Sequence, residues 1–298
     1  MPTWMNKREV GQHTLVGYSL AGEETVVALP GLNVCFDAGR APREIIPIDN
    51  LCISHGHMDH AAGIAYYLSQ RGFIGIGAGR IIIHRDQAAN IQQLMAVWAE
   101  IEGHPAPGKI EGVLPGEDVK IRRDLLVRPF AVEHGASALG FSVVETRHKL
   151  KPEFAEKTGP QLVALKKQGV EIQNWVEVPL VAYCGDTAVG DFLDLPHVRD
   201  ADLLLIECTF YDREHLNRAR VGKHIHVSDL RKIVERVRSR HIVLTHVTRR
   251  SDIRQARRIA QDAVHASDLD RISFLMDRPP RQPQQQSRAA QQDRSEVS

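Results

Sequence analysis

The chain has no apolar run near the ~20 residues that a membrane-crossing helix requires. Its first residues, MPTWMNKREVGQHT, lack the apolar middle of a secretory leader. From these two absences we expect a cytoplasmic protein with no membrane partner. Cysteine is scarce: Cys35, Cys52, Cys184 and Cys208 lie far apart, each in or beside an apolar run, and no CxxC pair exists. This argues against a cysteine zinc knuckle and predicts reduced core thiols rather than disulfides. Aromatic residues make up only 5% of the chain, which gives no ladder for stacking single-stranded bases. A net charge of +1 excludes a strongly basic nucleic-acid glove. The average hides a local tilt, because residues 208–260 hold 14 lysines and arginines against 5 acidic residues. That excess is either a set of solvated helix faces or a surface for polyanions.

What is present is enough for a full core: 298 residues, 43% of them apolar. Short β-branched runs bounded by Gly, Pro, Asp or Asn predict strands at Thr14–Leu20, Thr25–Leu29, Asn33–Phe36, Leu51–Ser54 and Arg80–His84. Helical spacing appears at 60–71, with Ile64, Tyr67 and Leu68 on one face, and at 86–102, with Asp86 as N-cap. Further strands are expected near 118–133, 139–146, 179–184, 202–206 and 241–245, and helices at 228–239 and 251–264. The polar stretch 147–178 is expected to wrap the surface. From Arg278 onward, RPPRQPQQQSRAAQQDRSEVS has almost nothing to bury, so 278–298 is expected to be a disordered tail behind one domain at 1–277. Two groups of strands with helices between them predict an α/β fold, a four-layer αββα sandwich.

The densest chemistry is in SHGHMDHAAG, residues 54–63. His55 and His57 follow a strand and, two apart, face the same way. Asp59 and His60 fall where the chain turns into a helix. We expect Gly56 to relieve crowding between ligands and Gly63 to let helix and sheet approach. His134, Asp186 and His246 each end an apolar strand, the usual address of a site at a sheet edge. The expected assignment is two ions. His55, His57 and His134 hold one, Asp59, His60 and His246 hold the other, and Asp186 bridges them. Nitrogen and carboxylate donors without thiolates suit two Zn2+ best, with Mn2+, Fe2+ or Co2+ as alternatives. Such a pair lowers the pKa of water to ~7, so that hydroxide attacks, and two ions can hold both oxygens of a phosphodiester.

These residues resemble the metallo-β-lactamase superfamily, and within it most nearly ribonuclease Z, the endonuclease that trims the 3′ end of precursor tRNA. The likeness spans residues 33–250. It is carried by CFDAG, SHGHMDHAAG, EHGASALGFSV, KLKPEFAEKTGPQLVALKKQGVEI, YCGDT and the series IECTF, KHIHVSDL, LTHVTRR. The resemblance implies the αββα fold, a zinc pair, a precursor tRNA substrate and a homodimer. It also implies a histidine, helped by an acidic partner, that protonates the leaving oxygen. Spacing to His246 favours His224 for that role, and the His-Val-Ser wording favours His226. Glu207 and Thr209 would stand behind the ligands or the acid, and Asp59 would act in catalysis as well as hold metal. Two family features are missing: the Pro-Thr-x-x-Arg-Asn loop, where the chain reads VGYSLAGEETVVALPG, and a long Gly-Pro-rich arm. Alternatives are a hydrolase of a small phosphodiester, ester or lactone, or a catalytically silent scaffold that binds RNA or protein.

Overall fold

The computed structural model describes residues 5–277, so the tail expected from Arg278 lies outside the described residues. The first sheet opens with β1 (Asn6–Val10), β2 (His13–Ala21), β3 (Glu24–Leu29) and β4 (Val34–Phe36). It continues through β5 (Asn50–Cys52), β6 (Gly79–His84) and β7 (Gly108–Val113), in that spatial order. The second sheet contains β8 (Val119–Arg122), β9 (Leu125–Ala131), β10 (Leu139–Leu150), β11 (Gln173–Tyr183), β12 (Leu203–Glu207) and β13 (His241–Thr245). After β13 the chain crosses back, and β14 (Val247–Thr248) pairs with β2 before β15 (Ile272–Phe274) completes the second sheet beside β13. The helices are α1 (Met58–Ala61), α2 (Ile64–Phe73), α3 (Arg85–Glu102), α4 (Gly159–Lys167), α5 (Pro196–Arg199), α6 (Leu216–Gly222), α7 (Leu230–Arg236) and α8 (Ile253–Ala263).

Three apolar cores separate four layers. Leu15, Val27, Phe36, Phe141 and Tyr183 fill the space between the sheets. Ile64, Tyr67 and Leu68, the predicted face of α2, bury with Ile81 and Ile83 on the outside of the first sheet. Leu230, Ile233, Ala256 and Ala260 cover the second sheet from α7 and α8. This is the expected αββα sandwich. Strands β4 to β7 run parallel, as do β11, β12, β13 and β15. Their carboxyl ends therefore share one edge, where open α/β sheets bind ligands. Antiparallel pairing of β9 to β10 and of β10 to β11 brings the end of β9 to that edge too.

The structure corrects three local expectations. The stretch 147–178 does not wrap the surface. Beyond the reach of β9, β10 and β11 stay paired to Leu150↔Gln173 and form a two-stranded ribbon with α4 at its end. Exposed Trp175 on this ribbon lies against His148, centroids 3.6 Å apart. Polar residues occupy both faces there because both meet water, and without alternation the sequence pattern alone reads as loop. Helix α3 starts one residue early, so His84 is the N-cap, its Nδ1 accepting from Asp86 N at 3.2 Å, and Asp86 sits in the first turn. A Cβ at Gly63 would meet Ala41 N at 2.4 Å, and one at Gly56 would first meet Gln87. The two glycines thus admit the 38–41 loop and the start of α3, rather than the sheet or the ligand rings. All four cysteines are free and buried, as expected. Among the described residues, no helix is long and apolar enough to cross a membrane.

Candidate metal centre

Seven dispersed donors meet at the shared edge. His55, His57, His134 and Asp186 form one cluster, and Asp59, His60 and His246 form another. Asp186 reaches both: its Oδ2 lies 3.8 Å from His55 Nε2 and 3.4 Å from His246 Nε2, and its Oδ1 lies 3.4 Å from His60 Nε2. Asp59 Oδ2 is 3.5 Å from His246 Nε2 and 3.7 Å from His60 Nε2. Two donors each ~2.1 Å from one tetrahedral ion stand ~3.4 Å apart. The observed spacings therefore match the edges of a zinc-sized shell better than direct hydrogen bonds. His60 Nε2, His246 Nε2 and Asp186 Oδ1 are buried and have no hydrogen-bond partner among the described residues. Such groups cost free energy unless something binds them, so the donor set fits a pair of divalent ions. Burial pushes the four cysteine thiols up and away from thiolate chemistry.

Backing groups aim these nitrogens, and the sequence reading missed the most important of them. Asp37, fully buried, accepts from Ser54 N (2.7 Å), Ser54 Oγ (2.8 Å), His60 Nδ1 (2.7 Å) and Tyr183 OH (2.5 Å). With its Nδ1 proton directed at Asp37, the neutral His60 ring would present its Nε2 lone pair to an ion. Ser54 Oγ donates to Asp37, so its oxygen, 3.0 Å from His55 Nδ1, accepts there and leaves His55 Nε2 without a proton, 2.9 Å from His57 Nδ1. The same relay recurs in the second sheet. Thr209 Oγ1 donates to Glu207 Oε2 (2.5 Å) and accepts from His246 Nδ1 (3.0 Å). Asp37 and His246 both have positive φ, 56° each, and hold that uncommon backbone at the site. The CFDAG turn was the available signal for Asp37. Its four donors come from distant segments, and no local pattern shows them.

Electrostatics divide the cluster. Burial, then the neighbouring His60, holds His55 low, at about 2. Burial alone would also depress His60, but Asp186 and Asp37 outweigh it and raise that ring well above the usual histidine range. Burial would raise Asp59, but the nearby His246 ring and then His60 carry it below the usual carboxylate range.

The structure separates the two candidate acids. His224 Nδ1 lies 2.7 Å from Glu207 Oε1, and its ring stacks 5.4 Å from that of His246 and lies tilted 5.2 Å from that of His134. Burial would lower its pKa, but the Glu207 charge and hydrogen bond raise it to about 9. His226 is engaged elsewhere: its Nδ1 accepts from Ser228 N and caps a short turn, and its Nε2 faces Asp212 O at 3.1 Å. Glu207 could be grouped with Asp186, His224 and His246 as a ligand set. Its oxygens are already taken by Thr187 N, Ile225 N, Thr209 and His224, so it serves as a clamp.

The beta-lactamase superfamily domain matches residues 28–247. The chain is 32% identical to tRNase Z TRZ1 of Arabidopsis thaliana, covering 88% of this chain and 94% of that protein. Among solved structures, Bacillus subtilis YhfI, a metallo-beta-lactamase fold protein, superposes with a TM-score of 0.57 at 15% identity, over 88% of both chains. The short form of human tRNase Z superposes with a TM-score of 0.53 at 17% identity, over 80% of this chain and 87% of that one. These two likenesses are of fold alone. Fold and paired clusters together make this a metal-dependent hydrolase, and the chain belongs to the metallo-β-lactamase superfamily, with ribonuclease Z proteins among its relatives.

Proposed function

We propose that the chain is a ribonuclease Z-type phosphodiesterase that cleaves precursor tRNA on its 3′ side and works with a zinc pair. The observation that carries this reading is the Glu207–His224 pair beside the donor clusters. A hydrolase whose leaving group is an unactivated ribose oxygen needs a proton donor, and His224 is a fixed one. When bound, the ions activate water and offset phosphate charge. His55, His57 and His134 would hold one and Asp59, His60 and His246 the other, with Asp186 shared. His224 Nδ1 stays with Glu207, so Nε2 is the atom that gives up a proton. Asp59 accepts from Gly22 N at 2.8 Å, which ties the β2–β3 turn to the cluster.

Local charge supports an RNA substrate. Much of the basic stretch is spent on ion pairs: Arg236 with Asp194, Arg238 with Asp200, Arg249 with Glu23 and Arg257 with Asp277. Around α6, Arg213, Arg218, Arg220 and Lys223 are exposed and have no ion-pair partner among the described residues, which leaves them for phosphates. The relative named tRNase Z TRZ1 supports the same substrate. We extend the reading to a homodimer, because α3 exposes an apolar stripe of Leu94, Val97, Trp98 and Ile101. One feature favours a small phosphodiester, ester or lactone instead: the tight β2–β3 turn stands where the Pro-Thr-x-x-Arg-Asn loop of the family is missing. Release of a 3′ trailer from precursor tRNA, measured beside turnover of bis(p-nitrophenyl) phosphate, decides between them. Turnover of the small diester alone refutes the tRNA reading.

A further inference from the structure

A cavity of about 530 Å³ opens beside His224, away from the metal donors. One wall is apolar, built by Val189, Leu216 and Ala219. Arg220 and Lys232 stand on its lining, and His226 contributes a ring whose two nitrogens are engaged with Ser228 and Asp212. Lys232 is steadied by Asp229 at 2.9 Å, whereas Arg220 has no ion-pair partner among the described residues. The volume lies within the range of small-molecule sites, ~300–1,000 Å³. An apolar wall that shares its lining with Arg220, and with Lys232 beside the lining carboxylate of Asp229, is complementary to a nucleoside and the phosphate attached to it.

We propose that this cavity receives the leaving-side nucleoside of the substrate, with the phosphate beyond it against Arg220 and Lys232. The proposal rests on reading His224 as the proton donor. The acid must touch the oxygen that departs, so the fragment bearing that oxygen lies on the acid's side of the cluster, and the cavity is the space there. Substrate choice is then made partly by the α6 wall as well as by the metal edge.

The test uses zinc-loaded full-length protein turning over bis(p-nitrophenyl) phosphate, with adenosine 3′,5′-bisphosphate and inorganic phosphate as competing inhibitors. Inorganic phosphate reports the metal edge alone, whereas the nucleotide places one phosphate at the metal edge, its nucleoside in the cavity and its second phosphate against Arg220 and Lys232. We expect the nucleotide to inhibit at least about tenfold more tightly than phosphate. Arg220→Gln combined with Lys232→Gln should erase that margin, and Val189→Trp, which fills the cavity, should do the same. The remote pair Arg254→Gln and Arg258→Gln on α8 should preserve it. Arg220 and Lys232 are exposed, so their loss leaves the core intact. Equal inhibition by the two ligands overturns the proposal, as does a margin that survives the Arg220 and Lys232 changes. A parent enzyme that shows the margin yet leaves precursor tRNA uncut would refute the tRNA substrate and uphold the cavity.

Discussion

Replacing Asp37 with asparagine tests whether a buried carboxylate that touches no ion sets the metal affinity. Asp37 Oδ2 accepts from three groups, Ser54 Oγ, His60 Nδ1 and Tyr183 OH, while Oδ1 accepts from Ser54 N. The amide can keep its oxygen at the threefold position and turn its NH2 toward Ser54 N. One buried donor then loses its acceptor and meets another donor, a cost of ~1–3 kcal/mol. The three remaining bonds also lose the strengthening that an ionised acceptor gives. Alanine would strand all four donors at once, a loss comparable with the ~5–15 kcal/mol stability of a whole domain. Asparagine is therefore the informative change. We expect it to fold with a lowered melting temperature and to bind zinc ~10–100-fold more weakly, because His60 loses its anchoring anion. Tyr183→Phe removes one donor and should cost less, ~1 kcal/mol. Thermal melts and zinc competition against a chelator measure both quantities. Parent-like zinc affinity in Asp37→Asn would refute the relay that we assign to Asp37, Ser54 and the two histidines.

Asp59→Ala should cut turnover of bis(p-nitrophenyl) phosphate ~100-fold or more while leaving the far-ultraviolet dichroism unchanged; retained turnover would remove Asp59 from the centre. His224→Ala should slow cleavage of RNA by ~10²–10⁴ and slow the nitrophenyl ester far less, since nitrophenolate departs without a proton. Equal losses on the two substrates would contradict an acid role, and the larger loss in His226→Ala would reassign it. His224 titrates at about 9 beside Glu207, above its ordinary range, so the proton is in place at neutral pH and lost as pH rises through that value. Bound cations oppose this shift, so the alkaline limb should fall at or below about 9, and Glu207→Gln should move it further down. The same attraction stabilises the fold below the ordinary histidine pKa and fades as pH climbs toward about 9. RNA binding should weaken steeply with salt if the α6 cations meet phosphates; a flat response would exclude them.

The candidate donors that meet at one edge were legible because strand ends announce themselves. His55, His57, His134, Asp186 and His246 each close an apolar run, and parallel strands deliver such ends to one edge. The αββα layering followed from the same runs. What stayed hidden depends on contacts between distant segments. Asp37 gathers donors from residues 54, 60 and 183, and the different surroundings of His224 and His226 depend on where one glutamate points. The β10–β11 ribbon was missed because strands wetted on both faces carry no alternation to read. Asp86 lost its capping role to a residue inside the preceding strand, and element boundaries are the least certain part of any pattern.

His246 stands at the crossover from β13 of the second sheet to β14 of the first, a single residue between the two strands. It is also the last of the seven donors in the chain. During synthesis, then, no emerging fragment carries the complete cage until most of the polypeptide has left the ribosome. The second ion site must await the closure that unites both halves, so filling of the pair would report on finished folding.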